Sequence, residues 1–463
     1  MQDLHIVVLA AGKGTRMRSA LPKVLHPAAG LPLIDHVLRA AASLSPSSII
    51  VVVGHEAERL KEGLREHPGL SFAVQEPQLG TGHALLQAEP FLRGARGTVV
   101  LLSGDVPLLR ASTLGALVRT HEERQAAATV LTAVVDAPAG YGRIVRDGQG
   151  IAAIVEHKDA SAAEREIREI NSGIYAFDAA PLFAALREIG SANAQGEYYL
   201  PDLVRIYRAR GLRVDTVTVE DSREILGVNS RKELAEVGAI LKANKNEALM
   251  AAGVTLVDPA TAYIGPEVIV GPDTVIHPAV HLEGRTRVGS GCEIHSGVRI
   301  VNTTVDDDVV INDFCVILDS HISRGAKIGP FAHIRPLSDV GEGAHVGNFV
   351  ELKKTTLGPG SKANHLAYLG DSTIGARVNV GAGVITCNYD GTLKHPTVIE
   401  DGAFIGSDSQ LVAPVRVGKG AYVAAGSTIT EEVPPGSLAI ARGRQVTKEN
   451  WTARRKQDKP GPG

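Results

Sequence analysis

The first half of the chain alternates short apolar runs with amphipathic stretches. Aliphatic and β-branched residues fill positions 6–9, 49–53 and 98–102, and apolar residues recur at helical spacing over 32–42 and 57–66. Continuous apolar runs are typical of strands buried on both faces of a parallel sheet. Up to about residue 229 the pattern therefore predicts an α/β domain with helices on both sides of a mostly parallel sheet. Its ligand site is expected beyond the carboxyl ends of the strands.

A different period begins after residue 251. Ser230 and Glu233 have the spacing of a capping box, and the apolar positions that follow predict a linker helix to about residue 251. Beyond it an aliphatic residue opens each group of six, with occasional slips of one residue. The regular runs are Ile264, Val270, Ile276, Leu282, Val288, Ile294 and Ile300, and later Ile399, Ile405, Leu411, Val417, Val423 and Ile429. This period predicts a parallel β-helix whose stacked coils bury one aliphatic column.

Two segments interrupt or follow the hexads. Residues 386–398 are polar and rich in turn formers, which predicts a loop that protrudes from the β-helix. From Arg454 onward the chain is polar and ends in alternating proline and glycine, so we expect it to be disordered.

Composition narrows the class of protein. A chain of 463 residues exceeds a typical single domain, and its net charge of −3 lacks the positive excess of a dedicated nucleic-acid binder. The 3 cysteines are isolated, which does not fit a disulfide framework and favours a reducing compartment. No apolar window is long enough to span a bilayer, and the first apolar run lacks the flanks of a signal peptide. We therefore expect a cytoplasmic protein that binds neither membrane nor nucleic acid.

The first candidate site follows the first predicted strand. Gly12 and Gly14 lie among Lys13, Arg16 and Lys23, but their spacing matches neither a P-loop nor the dinucleotide-binding fingerprint. Free backbone N–H groups beside cationic side chains suit a nucleoside triphosphate, whereas the plainer interpretation is a tight turn with solvated basic residues.

Asp105 gives a second signal at the same sheet edge. It follows the apolar run 98–102, so its carboxylate is expected to open onto the edge where the glycine turn lies. A hard oxygen ligand there suits Mg²⁺ bound to phosphates, although an Asp between Gly and Pro is often only a turn residue.

Further segments make the resemblance specific. The loop resembles that of sugar-nucleotide pyrophosphorylases, and the chain is similar throughout to the bacterial bifunctional N-acetylglucosamine-1-phosphate uridyltransferase/glucosamine-1-phosphate acetyltransferase family. The segments that carry this resemblance are Gln75, Leu79-Gly80-Thr81-Gly82-His83-Ala84, Gly140-Tyr141-Gly142-Arg143, Ile154-Val155-Glu156-His157-Lys158, Glu169-Ile170-Asn171-Ser172-Gly173 and Gly227-Val228-Asn229. The resemblance implies a Rossmann-like nucleotidyltransferase domain over 1–229, a linker helix over 230–251 and a left-handed β-helix acetyltransferase domain over 252–463.

The resemblance also implies the residues of the first site. Arg16 and Lys23 would be catalytic, and Asp105 and Asn229 would hold Mg²⁺. The residues implied to bind UDP-N-acetylglucosamine are Leu9, Ala10, Ala11, Gly12, Lys23, Gln75, Gly80, Thr81, Ser103, Gly104, Asp105, Gly142, Glu156, Asn171 and Asn229. The expected reaction is attack by a sugar phosphate oxygen on the α-phosphorus of UTP, with loss of pyrophosphate.

In the β-helix the resemblance implies that His365 is the general base for acetyl transfer from acetyl-CoA to glucosamine-1-phosphate. Taken alone, a histidine such as His365 is more often a solvated or hydrogen-bonded surface residue. Arg335, Lys353, Tyr368 and Asn379 are assigned to the amino-sugar phosphate. The residues assigned to acetyl-CoA are Ala382, Asn388, Tyr389, Ser407, Ala425 and Arg442. Glu351 is a candidate to orient His365 or a solvated acid, and Asn364 departs from the small or apolar residue of relatives.

Three hypotheses follow. The first is a two-site enzyme of UDP-N-acetylglucosamine biosynthesis that acetylates and then uridylates its sugar, supplying precursors of peptidoglycan and lipopolysaccharide. The second is a single-activity sugar-nucleotide pyrophosphorylase with a regulatory β-helix, and the third is a β-helix binding module with a silent nucleotide fold. The resemblance further implies a homotrimer with acetyl sites between subunits. Independently, the flat outer faces of a β-helix suit side-by-side self-association.

Overall fold

The computed structural model describes residues 3–12, 14–54 and 56–457. The chain divides into two compact units, residues 1–242 and 243–463. None of the helices in these described ranges is both long enough and apolar enough to cross a membrane.

The first unit is built on one twisted sheet. Its strands are β1 Leu4–Leu9, β2 Ser48–Val53, β3 Leu70–Val74, β4 Thr98–Ser103, β5 Ala128–Val134, β6 Arg143–Asp147, β7 Gly150–Val155, β8 Glu169–Asp178 and β9 Val214–Thr218. In the part of this unit that the structure describes, they lie in the order β9-β5-β8-β4-β1-β2-β3, and a β6–β7 hairpin joins at β8. β1 pairs in parallel with β2 and β4, and β8 is antiparallel to β4 and β5. The sheet is therefore mixed around a parallel centre, as the apolar runs predict.

Helices cover the sheet and close its two cores. They are α1 Leu33–Ala42, α2 Ala57–Gly63, α3 Thr81–Leu86, α4 Ala111–Arg124, α5 Ala162–Arg165, α6 Ala179–Leu186 and α7 Leu203–Ala209. A further helix, α8 Arg231–Ala251, begins in the first unit and ends in the second. Short 3₁₀ helices span Thr15–Met17, Lys23–Leu25, Glu89–Phe91, Leu200–Asp202 and Ser222–Ile225, and a two-residue ladder joins Pro27–Ala28 to Leu31–Pro32. Neighbours along β1 point to opposite faces, so Ile6 joins one apolar cluster and Val7 the other.

The second unit is a left-handed parallel β-helix, as expected. Its strands form three faces. The first face contains Thr255–Leu256, Val275–Ile276, Glu293–Ile294, Val310–Ile311, Lys327–Ile328, His345–Asn348, Lys362–His365, Asn379–Val380, Phe404–Ile405, Tyr422–Val423 and Leu438–Ala439. The second contains Tyr263–Ile264, His281–Glu283, Arg299–Val301, Val316–Leu318, His333–Ile334, Glu351–Lys353, Tyr368–Gly370, Ile385–Cys387, Gln410–Val412 and Thr428–Ile429. The third contains Ile269–Val270, Arg287–Val288, Thr304–Val305, His321–Ile322, Asp339–Val340, Thr356–Leu357, Ser372–Ile374, Thr397–Ile399 and Val415–Val417.

The hexad positions form the core of this unit. Ile276 pairs with Ile294 and Ile294 with Ile311 on successive coils, and all three side chains are fully buried. The coil from Ile276 to Ile294 has 18 residues, whereas the coil from Ile294 to Ile311 has 17. Each slip in the hexad phase therefore corresponds to a corner that is one residue shorter. The period of six therefore arises because each strand contributes one inward side chain.

The two segments that break or follow the hexad pattern are a loop and a terminal helix. Residues 388–396 lie outside the coil as a loop closed by a bridge between Tyr389 and Lys394. The prediction of disorder from Arg454 differs from the structure, which has a helix α9 over Trp451–Gln457. Residues 451–457 contain no glycine or proline, and the Arg455 guanidinium lies 4.9 Å from the Trp451 ring centre, one helical turn away. The remainder of that predicted tail, residues 458–463, lies outside the described residues.

Candidate active sites

A cleft of about 950 Å³ opens at the carboxyl ends of the central strands in the first unit. Its walls come from the segments after β1, β3 and β4 and from the start of α3. Lining it are predicted binding residues from all four segments: Leu9, Ala10, Ala11, Gly12, Lys23, Gln75, Gly80, Thr81, Ser103 and Asp105. Gly104 adjoins them and donates its backbone N–H to the Leu9 carbonyl at 2.9 Å. This is the sheet edge at which the sequence places the site.

Lys23 joins the two predicted metal ligands. Its ammonium donates to Asp105 Oδ2 and, at 3.1 Å, to Asn229 Oδ1. The Lys23 and Asp105 side chains are only 13% and 19% exposed, so this contact is partly shielded from water. A carboxylate oxygen and an amide oxygen therefore converge on one cationic point, and both are hard donors of the kind that Mg²⁺ prefers.

Gln75 and Gly80 form a rigid wall of the cleft. The buried Gln75 side chain donates to the Gly80 carbonyl at 3.0 Å and lies 3.2 Å from His83 Nδ1. Gly80 has φ of 103°, and a Cβ there would lie 2.9 Å from the Tyr198 carbonyl oxygen. Only glycine fits this left-handed, crowded position without strain.

A second group of predicted residues lies around the β6–β7 hairpin. The Asn171 backbone N–H donates to the Gly142 carbonyl at 2.9 Å, and a Cβ on Gly142 would lie 3.3 Å from Glu156 Oε1. Asn171 Oδ1 accepts from the Tyr175 hydroxyl at 2.9 Å. Burial, reinforced by the carboxylates of Asp159 and Asp202, raises the pKa of Glu156. The structure thus brings Gly142, Glu156 and Asn171 together.

Some residues that line the cleft were not predicted from the sequence. Gln78 donates to the Ala11 carbonyl, and Glu76 and Glu197 also line the cleft. Gln78 follows the same strand as Gln75, a signal that could have revealed it.

Arg16 is exposed and makes no hydrogen bond among the described residues. Lys13 lies outside the described residues.

In the second unit, one column of residues runs along the end of the first face. Each member follows an inward residue by two positions, and the members stack on successive coils: Asn348, His365, Ala382, Ser407 and Ala425. The stack is held by the backbone, because Asp408 N donates to Ala382 O at 2.7 Å and Gly426 N to Ser407 O at 2.8 Å. His365 therefore shares its column with predicted coenzyme residues.

The exposed His365 ring is oriented by a residue that sequence reasoning missed. His365 Nδ1 lies 2.6 Å from Asn348 Oδ1, which can only accept, so Nδ1 carries the proton and Nε2 is left as the acceptor. Glu351, the candidate named from sequence, instead accepts from Arg335 at 2.8 Å. The reason is register: Asn348 pairs directly with His365, whereas Glu351 starts a strand of the second face.

The predicted amino-sugar residues lie mainly on the second face. Arg335 and Lys353 follow inward residues on successive coils, and Tyr368 begins the next strand. Asn379 lies on the first face, beside Lys362. Lys394, in the protruding loop, is a further missed residue: the neighbouring Lys353 ammonium lowers its pKa. Two ammonium groups at one point suit an anion.

The predicted coenzyme residues fall into two groups. Arg442 donates to the Ala425 carbonyl at 2.8 Å and so extends the column that contains His365. Asn388 and Tyr389 instead begin the protruding loop, where the buried Asn388 amide donates to Asp371 Oδ2 at 2.6 Å. Within one chain, the described residues include no hydrogen bond between the two groups.

The fold and its two clusters define a class: a nucleotidyltransferase-type α/β unit followed by a hexapeptide-repeat unit of the acyltransferase type. Family descriptions agree with both parts. A MobA-like NTP transferase domain matches residues 6–172, a GMPPB C-terminal domain matches 264–338, and six bacterial transferase hexapeptide repeats match 396–431.

Relatives that carry a single common name match nearly the whole chain. It is 52% identical to the bifunctional protein GlmU of Heliobacterium modesticaldum, over 98% of this chain and 99% of that one. It is also 52% identical to that of Brevibacillus brevis, over 97% of each, and 49% identical to that of Pelobacter propionicus, over 99% and 100%.

The chain therefore belongs to the bifunctional GlmU family. Its activities are uridylyl transfer and glucosamine-1-phosphate acetyl transfer, with UTP and acetyl-CoA as substrates and Mg²⁺ for the uridylyl step. The full-length match disfavours the single-activity hypothesis.

Proposed function

We propose that the two activities are divided between two domains, uridylyl transfer over 1–229 and acetyl transfer over 252–463, joined by the helix over 230–251. The observation that carries the proposal is that the central contacts of each cluster form within one unit. Lys23, Asp105 and Asn229 converge in the first unit, whereas His365 and Asn348 pair in the second.

In the first domain, UTP and the sugar phosphate share the cleft. Leu9 to Gly12, Gln75, Gly80 and Thr81 surround the uridine, while Gly142, Glu156 and Asn171 bind the N-acetylglucosamine hydroxyls through carboxylate and amide groups. Lys23 lies where charge builds up as the sugar phosphate oxygen attacks the α-phosphorus and pyrophosphate leaves. Arg16 would join it only by turning into the cleft from its exposed position.

Asp105 and Asn229 would hold the Mg²⁺, since their oxygens converge on one cationic point. The bound ion neutralises phosphate charge. The Lys23 ammonium adds a second positive charge beside the Mg²⁺ position. Its hydrogen bonds also orient the Asp105 and Asn229 oxygens toward that position.

In the second domain, His365 acts as general base. Its Nε2 takes a proton from the amino group of glucosamine-1-phosphate as the nitrogen attacks the thioester carbonyl of acetyl-CoA. The new C–N bond forms as the C–S bond breaks, and coenzyme A leaves as the thiolate, which is then protonated. Arg335, Lys353 and Lys394 supply cations for the sugar phosphate, with Tyr368 and Asn379 as polar contacts.

The acetyl site is completed by self-association into a homotrimer, in the cytoplasm. Supporting this, the assigned coenzyme residues form two groups in one chain: Ala382, Ser407, Ala425 and Arg442 in the column, and Asn388 with Tyr389 in the loop. A face of one copy beside the loop of another would bring both groups to one coenzyme. Sedimentation should give a trimer, and a monomer that still acetylates would contradict shared sites.

A pair of variants tests the division. His365→Ala should reduce acetyl transfer at least about a hundredfold, the usual contribution of a general base, and leave uridylyl transfer intact. Asp105→Ala should do the reverse. Thiol release and pyrophosphate release are measured separately in each folded variant, and loss of both activities from either substitution would contradict the proposal.

A further inference from the structure

Two histidines and a glutamate meet on the outer surface of the first face, away from the column that contains His365. His277 and His295 follow the inward residues of adjacent coils, and Glu293 precedes His295 by two positions on the same strand. Three further strands of the first face separate this cluster from the strand that ends in His365. Neither proposed activity uses it.

The two histidine side chains lie beside the same glutamate oxygen. His277 Nε2 and His295 Nε2 each lie 3.3 Å from the same oxygen, Glu293 Oε1. The two imidazole rings stack with centres 4.6 Å apart and planes 10° from parallel. One ligand atom from each residue lies within 4.8 Å of the other two. Three potential donors therefore lie close enough together to bind one ion.

Two of the three distances between ligand atoms match tetrahedral coordination. Zinc–nitrogen and zinc–carboxylate bonds of about 2.0–2.1 Å place neighbouring ligand atoms about 3.3 Å apart. Both imidazole–carboxylate distances have this value. The donors, two neutral imidazoles and one carboxylate, are those of the borderline divalent ions, above all Zn²⁺.

The backbone holds the donors in place before any ion binds. His277 N donates to Ile294 O at 2.9 Å, and His295 N donates to Ile311 O at 2.8 Å, so both residues are fixed in the ladder of parallel strands. The His277 and His295 side chains are 28% and 26% exposed and that of Glu293 is 47% exposed. The backbone of the cluster is thus fixed and its side chains are open to an ion and to water ligands, and the stacked rings turn about χ2 to face one ion through both Nε2 atoms.

We infer that His277, Glu293 and His295 form a binding site for one zinc-class divalent cation that clamps two adjacent coils of the β-helix. The ion is bound by the surface of the coil and takes no part in either transfer reaction. Because a bound ion stabilises only the folded state, its expected effect is on the stability of the β-helix.

The test uses the full-length, tag-free protein after treatment with a chelator. Calorimetric titration with Zn²⁺ should reveal one equivalent per chain that is lost in His277→Gln and in His295→Gln. Co²⁺ should give a visible d–d absorption that the same variants lack, and Zn²⁺ should raise the thermal midpoint of the wild type but not of the variants.

Matched controls separate this site from other contacts. His321→Gln removes a histidine of the third face that lies between Asp306 and Asp339 without a second imidazole, and it should leave Zn²⁺ binding unchanged. Both transfer activities should survive in all three variants, which shows that they are folded. Equal Zn²⁺ stoichiometry and affinity in the wild type and in His295→Gln would overturn the inference, as would the absence of binding at micromolar Zn²⁺.

Discussion

The two units build their sites from opposite kinds of contact. In the first, Lys23 reaches Asp105 across 82 residues and Asn229 across 206. In the second, the key pairs are one coil apart: 17 residues separate His365 from Asn348, and 16 separate Arg335 from Glu351. The first site therefore depends on the whole sheet topology, whereas the second depends on the register between neighbouring coils.

The cores differ in the same way. The apolar clusters of the sheet unit draw on strands and helices from across that unit, whereas the β-helix core is one continuous column. Damage to one core should therefore affect mainly the activity of its own unit, which the following changes test.

The largest expected effect comes from a matched pair of core truncations. Ile317 in the β-helix and Ile50 in β2 are both fully buried. Truncation of a buried isoleucine to alanine costs about 2–5 kcal/mol, because it removes apolar contact and leaves a cavity. Ile317→Ala should lower the temperature at which acetyl transfer is lost, and Ile50→Ala the temperature at which uridylyl transfer is lost.

The measurement is residual activity after brief heating, with both reactions assayed on each sample. The wild type gives the reference midpoint for each activity. If Ile317→Ala lowers both midpoints equally, the cores are coupled and the contrast between the units is wrong.

A smaller effect concerns acid stability. His121 is buried in α4 beside Thr129, and burial lowers its pKa to about 4, with partial opposition from Asp178. The unfolded chain, with an ordinary histidine pKa of about 6.5, binds the proton more readily. The stability from neutral His121 is therefore complete above pH 6.5 and is lost as the pH falls toward 4.

Between pH 7 and pH 5 the expected loss is about 2 kcal/mol in the free energy of unfolding of the sheet unit. Urea titrations followed by uridylyl activity measure it at each pH. His121→Gln should be less stable at neutral pH but should flatten the pH dependence. An equally steep dependence in the variant would assign the acid sensitivity to other groups.

Sequence patterns predict the architecture better than the side-chain contacts. Ile276, Ile294 and Ile311 reveal the coil because one inward position recurs in each strand. Asp105 is predictable because residues after a buried parallel strand face the ligand edge. Both inferences need only a period or a strand end.

Predictions that depend on register or on local packing succeed less well. Glu351 is near His365 in sequence, but the coil places Asn348 beside the ring. Glu197 lines the cleft from a segment that carries no motif. At Arg454 low hydrophobicity suggests disorder, whereas the local propensity and the contact between Arg455 and Trp451 favour a helix.

The smallest expected effect tests register directly. Asn348→Ala removes the acceptor that holds the His365 Nδ1 proton, so the ring can rotate or carry its proton on the nitrogen that must act as the base. Acetyl transfer should fall about tenfold, equivalent to about 1.4 kcal/mol, in kcat more than in KM for the amino sugar. Uridylyl transfer should not change.

Asn348→Asp distinguishes the orientation of the His365 ring from the packing of the residue 348 side chain. It keeps an acceptor at the same position and adds a negative charge, which favours the protonated imidazole and should move the acidic limb of the acetyl transfer profile to higher pH. If Asn348→Ala lost stability but retained the wild-type kcat and pH profile, Asn348 would be only a packing residue. Agreement with both expectations would mean that a partner one coil away orients the base, since Glu351, three residues after Asn348 at the start of the next strand, is already paired with Arg335.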